Sequence, residues 1–376
     1  MLARGDIQQL VDSYDPSEIT IGVLGGHSAL DVCRGAKKYG FHTLAVCQQG
    51  RDKTYSKYYR TRPDGRGCVD TTITLPKFAD ITKPDIQEQL RNQNTIFIHN
   101  RYFWVYFNFT DIENTFRVPI FGTRSMLKLE ERDVPNNQYY LLQKAGIRHP
   151  KIFTLPGDID RLVLVKVSEA ARGYERAFFY ASTPKDYHQK ADELLHKKTI
   201  TPEALSKAVI EEYVVGAQIN FNYFYSSLDN ELEIMGTDTR RQTNLDGLIR
   251  LPANEQLEVL KYLQPKIIET GHIAATTKES IIEKIFELGE KFVATTQKEC
   301  PPGIIGPFAL QGAIAADSGK EEMVVFDVSM RIPGSPLTPF TPHTSYLYGT
   351  SISYGERIAM EIKKAVNTDR LKDIVT

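Results

Sequence analysis

Three oxygen-bearing side chains lie close together in the C-terminal third of the chain. Gln311 lies in an apolar run, residues 308–314, and Asp327 and Ser329 end a second run that begins at Met323. A run, a polar turn and a run of this size predict a β-hairpin. Because strand side chains alternate between faces, Asp327 and Ser329 point the same way, and Gln311 can join them across the hairpin. Such oxygens suit Mg²⁺ that arrives with a nucleotide phosphate, and the alternative is an acid and an amide solvated at strand ends.

His27 is the second residue that could contact a ligand. It follows two glycines between an apolar run, residues 19–24, and a predicted helix, residues 30–39. A glycine turn that opens a helix lets backbone N–H groups and the positive helix end face an anion. The GxGxxG spacing of a dinucleotide site is absent, and no acid follows the next predicted strand to hold a ribose. We therefore interpret His27 as a ligand contact, and the alternative is a purely structural histidine.

The composition is ordinary for a soluble globular protein. The 376 residues are 41% hydrophobic and 25% charged with a net charge of −1, and they carry no block of like charge. This balance argues against a nucleic-acid partner or a membrane surface, and no apolar run approaches a membrane span. The N-terminal segment lacks the apolar core of a signal peptide. The four cysteines form no CxxC pair, so we expect free thiols, no zinc site and a cytoplasmic protein.

The elements that must position these side chains form two successive units. Residues 18–47 are typical of a β-α-β unit, and this first α/β unit ends near Gly122. The second unit contains a predicted strand, residues 162–167, that carries Lys166 near its end, and a further strand at residues 209–216. Two amphipathic helices complete the pattern, at residues 279–296 and 356–366.

This order of parts resembles the ATP-grasp ligases. More narrowly, the chain is similar to the archaeal formate-dependent ligases that formylate 5-aminoimidazole-4-carboxamide ribonucleotide (AICAR) in purine biosynthesis. The matching stretches are ITIGVLGGHSAL, QQGRDKTY, DIENTFRVPIFGTRSML, IEEYVVG, NLDGLIRLPA, PPGIIGPFALQ and VVFDVSMR, which together span residues 18–331. The segment ERIAMEIKKA extends the match almost to the C-terminal end.

The resemblance implies an α/β fold with an α+β ATP-grasp part. A Rossmann-like substrate-binding domain would occupy residues 1–123, and an ATP-grasp domain would occupy residues 124–376 with a lid around 150–216. The cofactors would be ATP and Mg²⁺, and the partners would be small-molecule substrates and further copies of the chain in a homo-oligomer. In such ligases ATP phosphorylates a carboxylate, and an amine then attacks the acyl phosphate.

The resemblance also implies roles for individual residues, although it assigns no catalytic residue. The positions that correspond to ATP contacts are Lys166, Glu211, Glu212, Tyr213, Val214 and Gln242. Gln311 and Asp327 would hold Mg²⁺. The positions that correspond to substrate contacts are His27, Arg101 and His272.

Several of these residues depart from the family pattern. The loop after the strand lysine, residues 168–177, contains the single glycine Gly173 where the family is glycine-rich, and it carries Glu169 and Glu175. Four site positions also hold an unusual residue: Arg101 replaces a serine, Gln242 an acid, His272 an asparagine and Asp327 a glutamate. A retained scaffold with altered contacts is the pattern of a divergent paralogue.

Three functional hypotheses follow from these observations. The leading one is an ATP-dependent ligase that joins formate to the amine of AICAR. The second is a paralogous ligase that uses a different carboxylate, for which Arg101 and His272 would reshape the pocket. The third is a non-catalytic nucleotide-binding subunit, which the glycine-poor loop would favour.

Overall fold

The computed structural model describes residues 2–132, 134–168, 176–263, 268–316, 319–334 and 338–376. Within these residues the chain forms three β-sheets with helices packed around them. No helix of the described residues is both long and apolar enough to span a membrane. Most of the glycine-poor loop, including Glu169, Gly173 and Glu175, lies outside the described residues.

The first sheet is parallel, and its strand order is β3-β2-β1-β4-β5. Its strands are β1 (Thr20–Leu24), β2 (His42–Gln48), β3 (Thr71–Leu75), β4 (Thr95–Ile98) and β5 (Ile120–Phe121). All residues of β1 and β4 are buried, as expected for a parallel sheet that is covered on both faces. The chain order reverses between β1 and β4, and in such sheets a ligand crevice forms at the carboxyl ends of the strands on either side of this switch point.

The second sheet contains four short strands in the order β6-β9-β7-β8. They are β6 (Ile152–Phe153), β7 (Val163–Ser168), β8 (Arg176–Ala181) and β9 (Val209–Glu212). The strand predicted at residues 209–216 was too long, because β9 ends at Glu212. Tyr213 no longer pairs with a neighbouring strand of the sheet. There the backbone N–H of Tyr213 donates to the carbonyl of Leu162 at 2.9 Å.

The third sheet is antiparallel, with the order β12-β11-β10-β13-β14. Its strands are β10 (Ala217–Ser226), β11 (Glu231–Gln242), β12 (Glu269–Ala274), β13 (Gly306–Ala315) and β14 (Glu322–Ser329). The predicted hairpin is confirmed, since β13 and β14 pair directly and Gln311 lies opposite Asp327. The ladder is irregular between Gln311 and Gly312.

The helices lie between and after these strands. They are α1 (Arg4–Asp12), α2 (Ala29–Lys38), α3 (Pro84–Arg91), α4 (Tyr102–Val105), α5 (Phe109–Asn114), α6 (Gln138–Lys144), α7 (Pro184–His196), α8 (Pro202–Ser206), α9 (Thr243–Leu248), α10 (Ala253–Val259), α11 (Ile282–Glu299), α12 (His343–Tyr348) and α13 (Tyr354–Asn367). The helices predicted at residues 279–296 and 356–366 correspond to α11 and α13, within a few residues at each end.

The C-terminal helix α13 joins the first sheet to the third. It packs against α2 so closely that a Cβ on Gly35 would lie 2.0 Å from the carbonyl carbon of Gly355. One hydrophobic core cluster accordingly contains Ile21 of β1, Phe224 of β10 and Ile358 of α13. Burial of this shared apolar surface holds the carboxyl edge of the parallel sheet in a fixed place relative to the β13–β14 hairpin.

Candidate active site

A polar cleft lies where the carboxyl edge of the first sheet meets the third sheet. His27 follows β1, and its Nε2 lies 3.3 Å from Nη1 of Arg331, which comes directly after β14. The cleft measures about 280 Å³ including its open mouth. Its lining is almost entirely polar, and it consists of His27, Asn220, Asn222, Asp238, Arg240, Glu269, His272, Gln311, Ser329, Arg331, Pro333 and Gly334.

His27 sits in a turn whose backbone is available to a ligand. His27 and Ser28 both have positive φ, at 36° and 62°. Their N–H groups make no hydrogen bond within the described residues. Burial and the neighbouring Arg331 lower the pKa of His27 to about 3, so the ring is neutral and Nε2 accepts a hydrogen bond from Arg331. The predicted position of His27 at the mouth of a strand-helix turn therefore agrees with the structure, whereas its ligand stays a prediction.

The hairpin brings the three predicted oxygen ligands together. Gln311 donates from Nε2 to Ser329 Oγ at 2.9 Å. Both carboxylate oxygens of Asp327 are occupied by arginine, because Oδ1 lies 2.9 Å from Nη2 of Arg132 and Oδ2 lies 3.2 Å from Nη2 of Arg240. Arg240 Nη2 also donates to Gln311 Oε1. Burial would raise the pKa of Asp327, but the arginines outweigh it and hold the pKa well below its usual range.

The oxygen atoms of Gln311, Asp327 and Ser329 fit Mg²⁺ only when an anion binds together with the metal. Amide, carboxylate and hydroxyl oxygens are ligands that Mg²⁺ accepts, and it commonly uses one or two carboxylates together with substrate phosphates. Within the described residues, no group of three or more His, Cys, Asp or Glu side chains could hold a metal ion. The two arginines on Asp327 also oppose a free cation. The side chains of Gln311 and Asp327 therefore fit Mg²⁺ that arrives bound to a polyphosphate.

Lys166 is buried and paired with a carboxylate. Its side chain is 6% exposed and forms an ion pair with Glu211, which is 4% exposed and also accepts a hydrogen bond from the hydroxyl of Tyr139. Burial and Arg132 lower the pKa of Lys166 to about 8, although Glu211 opposes this shift. The carboxylate of Glu211 is thus bound within the protein, and its expected contact with ATP stays a prediction.

The other expected nucleotide contacts lie at the ends of neighbouring strands. The carboxylate of Glu212 accepts the backbone N–H of Lys151 at 3.2 Å. Tyr213 and Val214 follow β9 and are half-buried. Gln242 ends β11 and is not among the side chains that line the cleft. Their contacts with ATP stay predictions.

Arg101 follows β4 but belongs to an ion-pair cluster beside the cleft. Its Nη1 lies 3.4 Å from Glu130 and 3.0 Å from Glu131. Glu130 also lies 3.4 Å from Nε of Arg331. An arginine that is largely buried needs an acid partner, and the structure supplies two. Arg101 is not among the cleft-lining residues, so contact with a substrate stays a prediction for it.

His272 lies in the cleft between two carboxylates. Its Nδ1 lies 2.6 Å from Asp238 Oδ1, and its Nε2 lies 2.9 Å from Glu269 Oε1. Burial alone would lower its pKa, but the hydrogen bonds and charges of Asp238 and Glu269 raise the pKa to about 9. The imidazole is therefore a cation at neutral pH, and both ring nitrogens donate hydrogen bonds.

This charged histidine predicts a loss of stability at alkaline pH. Because the pKa of about 9 in the folded protein exceeds the ordinary 6.5, folding favours the protonated ring. The contribution is fully present below pH 6.5 and is lost as the pH rises through 9, with a total of roughly 3 kcal/mol. Urea unfolding between pH 6 and pH 9.5 measures it. The His272→Asn variant should show a flatter profile in this window, and identical slopes for the two proteins would contradict the prediction.

Sequence reasoning missed several residues that shape this site. They are Glu130, Arg132, Tyr139, Asp238, Arg240 and Arg331. One signal could have found two of them, because Asp238 and Arg240 alternate along β11 and therefore share a face, opposite the alternating Asn220 and Asn222 of β10. Arg132 gave no such signal, since a lone arginine beside a predicted element usually lies on the surface.

Comparison with known proteins decides the family. A model described as a domain of unknown function (DUF1297) matches residues 186–376, and one described as a protein of unknown function (DUF1246) matches residues 21–153. A curated protein of Methanocaldococcus jannaschii is 38% identical over 379 residues, which cover 100% of both chains. It is named 5-formaminoimidazole-4-carboxamide-1-(beta)-D-ribofuranosyl 5'-monophosphate synthetase. The chain belongs to this synthetase family.

Solved structures agree with this family and with the fold. The crystal structure of an IMP biosynthesis protein PurP from Thermococcus kodakaraensis is 25% identical, with a TM-score of 0.68, and the match covers 95% of this chain and 100% of that one. N5-carboxyaminoimidazole synthetase from Staphylococcus aureus is 14% identical with a TM-score of 0.57, covers 92% of this chain and 77% of that one, and shares the fold. This chain is therefore an ATP-dependent carbon–nitrogen ligase with the α/β ATP-grasp fold.

Proposed function

We propose that this ligase joins formate to the amine of AICAR at the expense of ATP, in purine biosynthesis. The observation that carries the proposal is the 38% identity over the whole chain to a relative named for the formylated product. The cleft supports it, because a neutral histidine, arginines and a magnesium-compatible hairpin meet at the switch point of the parallel sheet.

The reaction proceeds in two steps, a phosphoryl transfer to formate and an acyl transfer to the amine. A formate oxygen attacks the γ-phosphorus of ATP, the bond to the β-phosphate oxygen breaks, and formyl phosphate and ADP result. The amine nitrogen of AICAR then attacks the formyl carbon and loses a proton, while the bond between that carbon and the bridging oxygen breaks. Phosphate leaves with the oxygen that came from formate. The protein contributes positioning and positive charge around the transferring phosphoryl group.

The described residues divide this work between them. Lys166 and Arg240 supply positive charge near Asp327, and they would stabilise the phosphate oxygens as charge moves. Magnesium, when bound with ATP, adds charge to the same group, and Gln311 and Asp327 are the residues that would hold it. The turn at His27, whose N–H groups have no hydrogen-bond partner among the described residues, would take the ribonucleotide amine substrate.

We assign residues 1–123 to the substrate-binding domain and 124–376 to the ATP-grasp domain, with the lid around 150–216. The protein would act in the cytoplasm on small molecules, without nucleic-acid or membrane partners, and as a homo-oligomer. Its four cysteines are free thiols, which agrees with a reducing compartment.

Release of ADP tests the proposed substrates. With ATP, Mg²⁺ and formate, ADP should form at a sustained rate only when AICAR is present, because the formyl phosphate must be consumed before the site turns over again. Acetate in place of formate is the matched control and should give little ADP. Sustained ADP formation with AICAR and acetate, but not with formate, would instead favour a paralogue that uses another carboxylate.

Arg101 provides a second test of the carboxylate substrate. The guanidinium of Arg101 forms ion pairs with Glu130 and Glu131 beside the cleft and does not line it. The Arg101→Ser variant should therefore keep a KM for formate within about threefold of the wild type. The melting temperature should fall, since the buried Glu130 loses one of its cations and such losses cost on the order of 1–3 kcal/mol. Arg101→Lys, which keeps the charge, is the control. A rise in formate-dependent activity would mean that Arg101 excludes formate, and that the natural carboxylate is different.

A further inference from the structure

The chain's own carboxylate Glu269 is held in the cleft by two cations. Its Oε2 lies 3.2 Å from Nε of Arg240, and its Oε1 lies 2.9 Å from Nε2 of His272. Glu269 is the first residue of β12, and its side chain is 41% exposed. A side chain in such a place can turn outward without disturbing the core, so the two cations can be released to another anion.

His272 is fixed in a position to bind an anion in the cleft. Asp238, whose side chain is 1% exposed, accepts hydrogen bonds from the amides of Asn220 at 2.7 Å and Asn222 at 2.6 Å. This buried acid in turn accepts the Nδ1–H of His272 at 2.6 Å. The remaining ring proton, on Nε2, therefore points into the cleft toward Glu269, and the ring orientation does not depend on Glu269.

Arg240 connects this anion position to the oxygens of the hairpin. Its Nε lies 3.2 Å from Glu269 Oε2 in an ion pair, and its Nη2 contacts both Asp327 and Gln311. A carboxylate bound at Nε of Arg240 would thus lie one guanidinium width from the place where the hairpin would hold a nucleotide phosphate. This is the arrangement that phosphorylation of a carboxylate requires, because the attacking oxygen must lie close to the transferring group.

We propose that Arg240 and His272 form the binding site of the small carboxylate co-substrate, and that Glu269 occupies this site until the co-substrate displaces it. The assignment of the co-substrate as formate rests on the proposed function. Gly334 lies beside this site, because a Cβ added there would lie 3.4 Å from Glu269 Oε1 and 3.1 Å from His27 Nε2. A planar carboxylate, rather than a tetrahedral phosphate, reproduces what Glu269 does there.

Binding of ¹³C-formate to the full-length protein without nucleotide tests the site directly. Glu269→Gln removes the competing charge, so formate should bind about tenfold tighter than to the wild type, as expected for one charge-assisted contact. His272→Asn should weaken formate binding to the Glu269→Gln protein by a similar factor. Asp246→Asn removes an acid that is paired with Arg241 at 2.6 Å outside the cleft, and it should change nothing. Equal formate affinity in the wild type and in Glu269→Gln would overturn the proposal.

Titration with inorganic phosphate separates the two possible anions. In the Glu269→Gln protein, phosphate should compete with formate poorly, and tighter binding of phosphate than of formate would overturn the assignment to a carboxylate.

The NMR signals of the His272 imidazole give a second readout of anion binding in the cleft. Asp238 and Glu269 contact this ring, and the other charged and titratable groups that line the cleft with it are Arg240 from β11 and His27 and Arg331 from the adjoining loops. Loss of Glu269 should lower the pKa of His272, and formate should raise it again.

Kinetics keep this proposal distinct from the proposed function. The KM for formate should fall in Glu269→Gln if both are right. If Glu269→Gln gains formate affinity but the wild type forms no formylated product from AICAR, the carboxylate site stands and the proposed substrates fail. If the product forms but neither formate affinity nor KM responds to Glu269→Gln, the site assignment fails while the proposed function stands.

Discussion

Lys166→Met should weaken ATP binding roughly ten- to hundredfold, the effect of losing one charge-assisted contact with a phosphate. It should also lower the free energy of unfolding by about 3–5 kcal/mol, because Glu211 would remain buried without its cation. Calorimetric titration with a non-hydrolysable ATP analogue measures the first effect, and urea unfolding measures the second.

A matched double variant separates these two effects. In Lys166→Met with Glu211→Gln, no unpaired charge is left in the buried pair, and the amide oxygen introduced by Glu211→Gln can still accept a hydrogen bond from the hydroxyl of Tyr139. Most of the lost stability should return, whereas ATP binding should stay weak. Recovery of ATP affinity along with stability would show that Lys166 acts only as a structural partner of Glu211.

Asp327→Asn should reduce the kcat for ADP formation by about 10²–10³, the usual cost of removing one electrostatic contact to a transferring group. The substitution keeps the shape of the side chain but removes the charge that Mg²⁺ would need, so the dependence of the rate on Mg²⁺ concentration should also weaken. Initial rates over a range of Mg²⁺ concentrations measure both effects.

Glu322→Gln is the control for Asp327, because Glu322 lies on the same strand and pairs with Arg148 at 2.8 Å at the surface. It should leave kcat unchanged. Thermal melting must accompany both variants, since loss of the Asp327 charge leaves Arg132 and Arg240 without their shared partner. A folded Asp327→Asn protein with wild-type turnover would remove Asp327 from the reaction.

Much of the fold could be predicted because its strands are short apolar runs with clear ends. The β13–β14 hairpin, the β-α-β unit around α2 and the long helices α11 and α13 all follow from hydrophobic periodicity and turn residues. The strand at residues 209–216 was predicted too long, because apolar content cannot show where the hydrogen bonds to a neighbouring strand stop. β9 ends at Glu212, where the backbone turns to pair with the loop at Leu162.

Only those parts of the site could be predicted whose residues are close in sequence or lie on the two strands of one hairpin. The register of Gln311 opposite Asp327 follows from the spacing of two adjacent strands. Arg132 and Arg240, which pair with Asp327, lie 195 and 87 residues away from it in the sequence. No local sequence pattern therefore predicts these contacts. Likewise, His272 was recognised as an unusual residue, but its charge depends on Asp238 and Glu269, which only the sheet brings together.

The fate of the formate oxygens tests the central claim most directly. With [¹⁸O₂]formate, AICAR, unlabelled ATP and Mg²⁺, mass spectrometry of the products should find the formylated ribonucleotide and ADP in equal amounts. The released phosphate should carry one ¹⁸O atom and the formyl group the other, because the bridging oxygen of formyl phosphate leaves with the phosphate. Unlabelled phosphate, or ADP release without formylated ribonucleotide, would contradict the account.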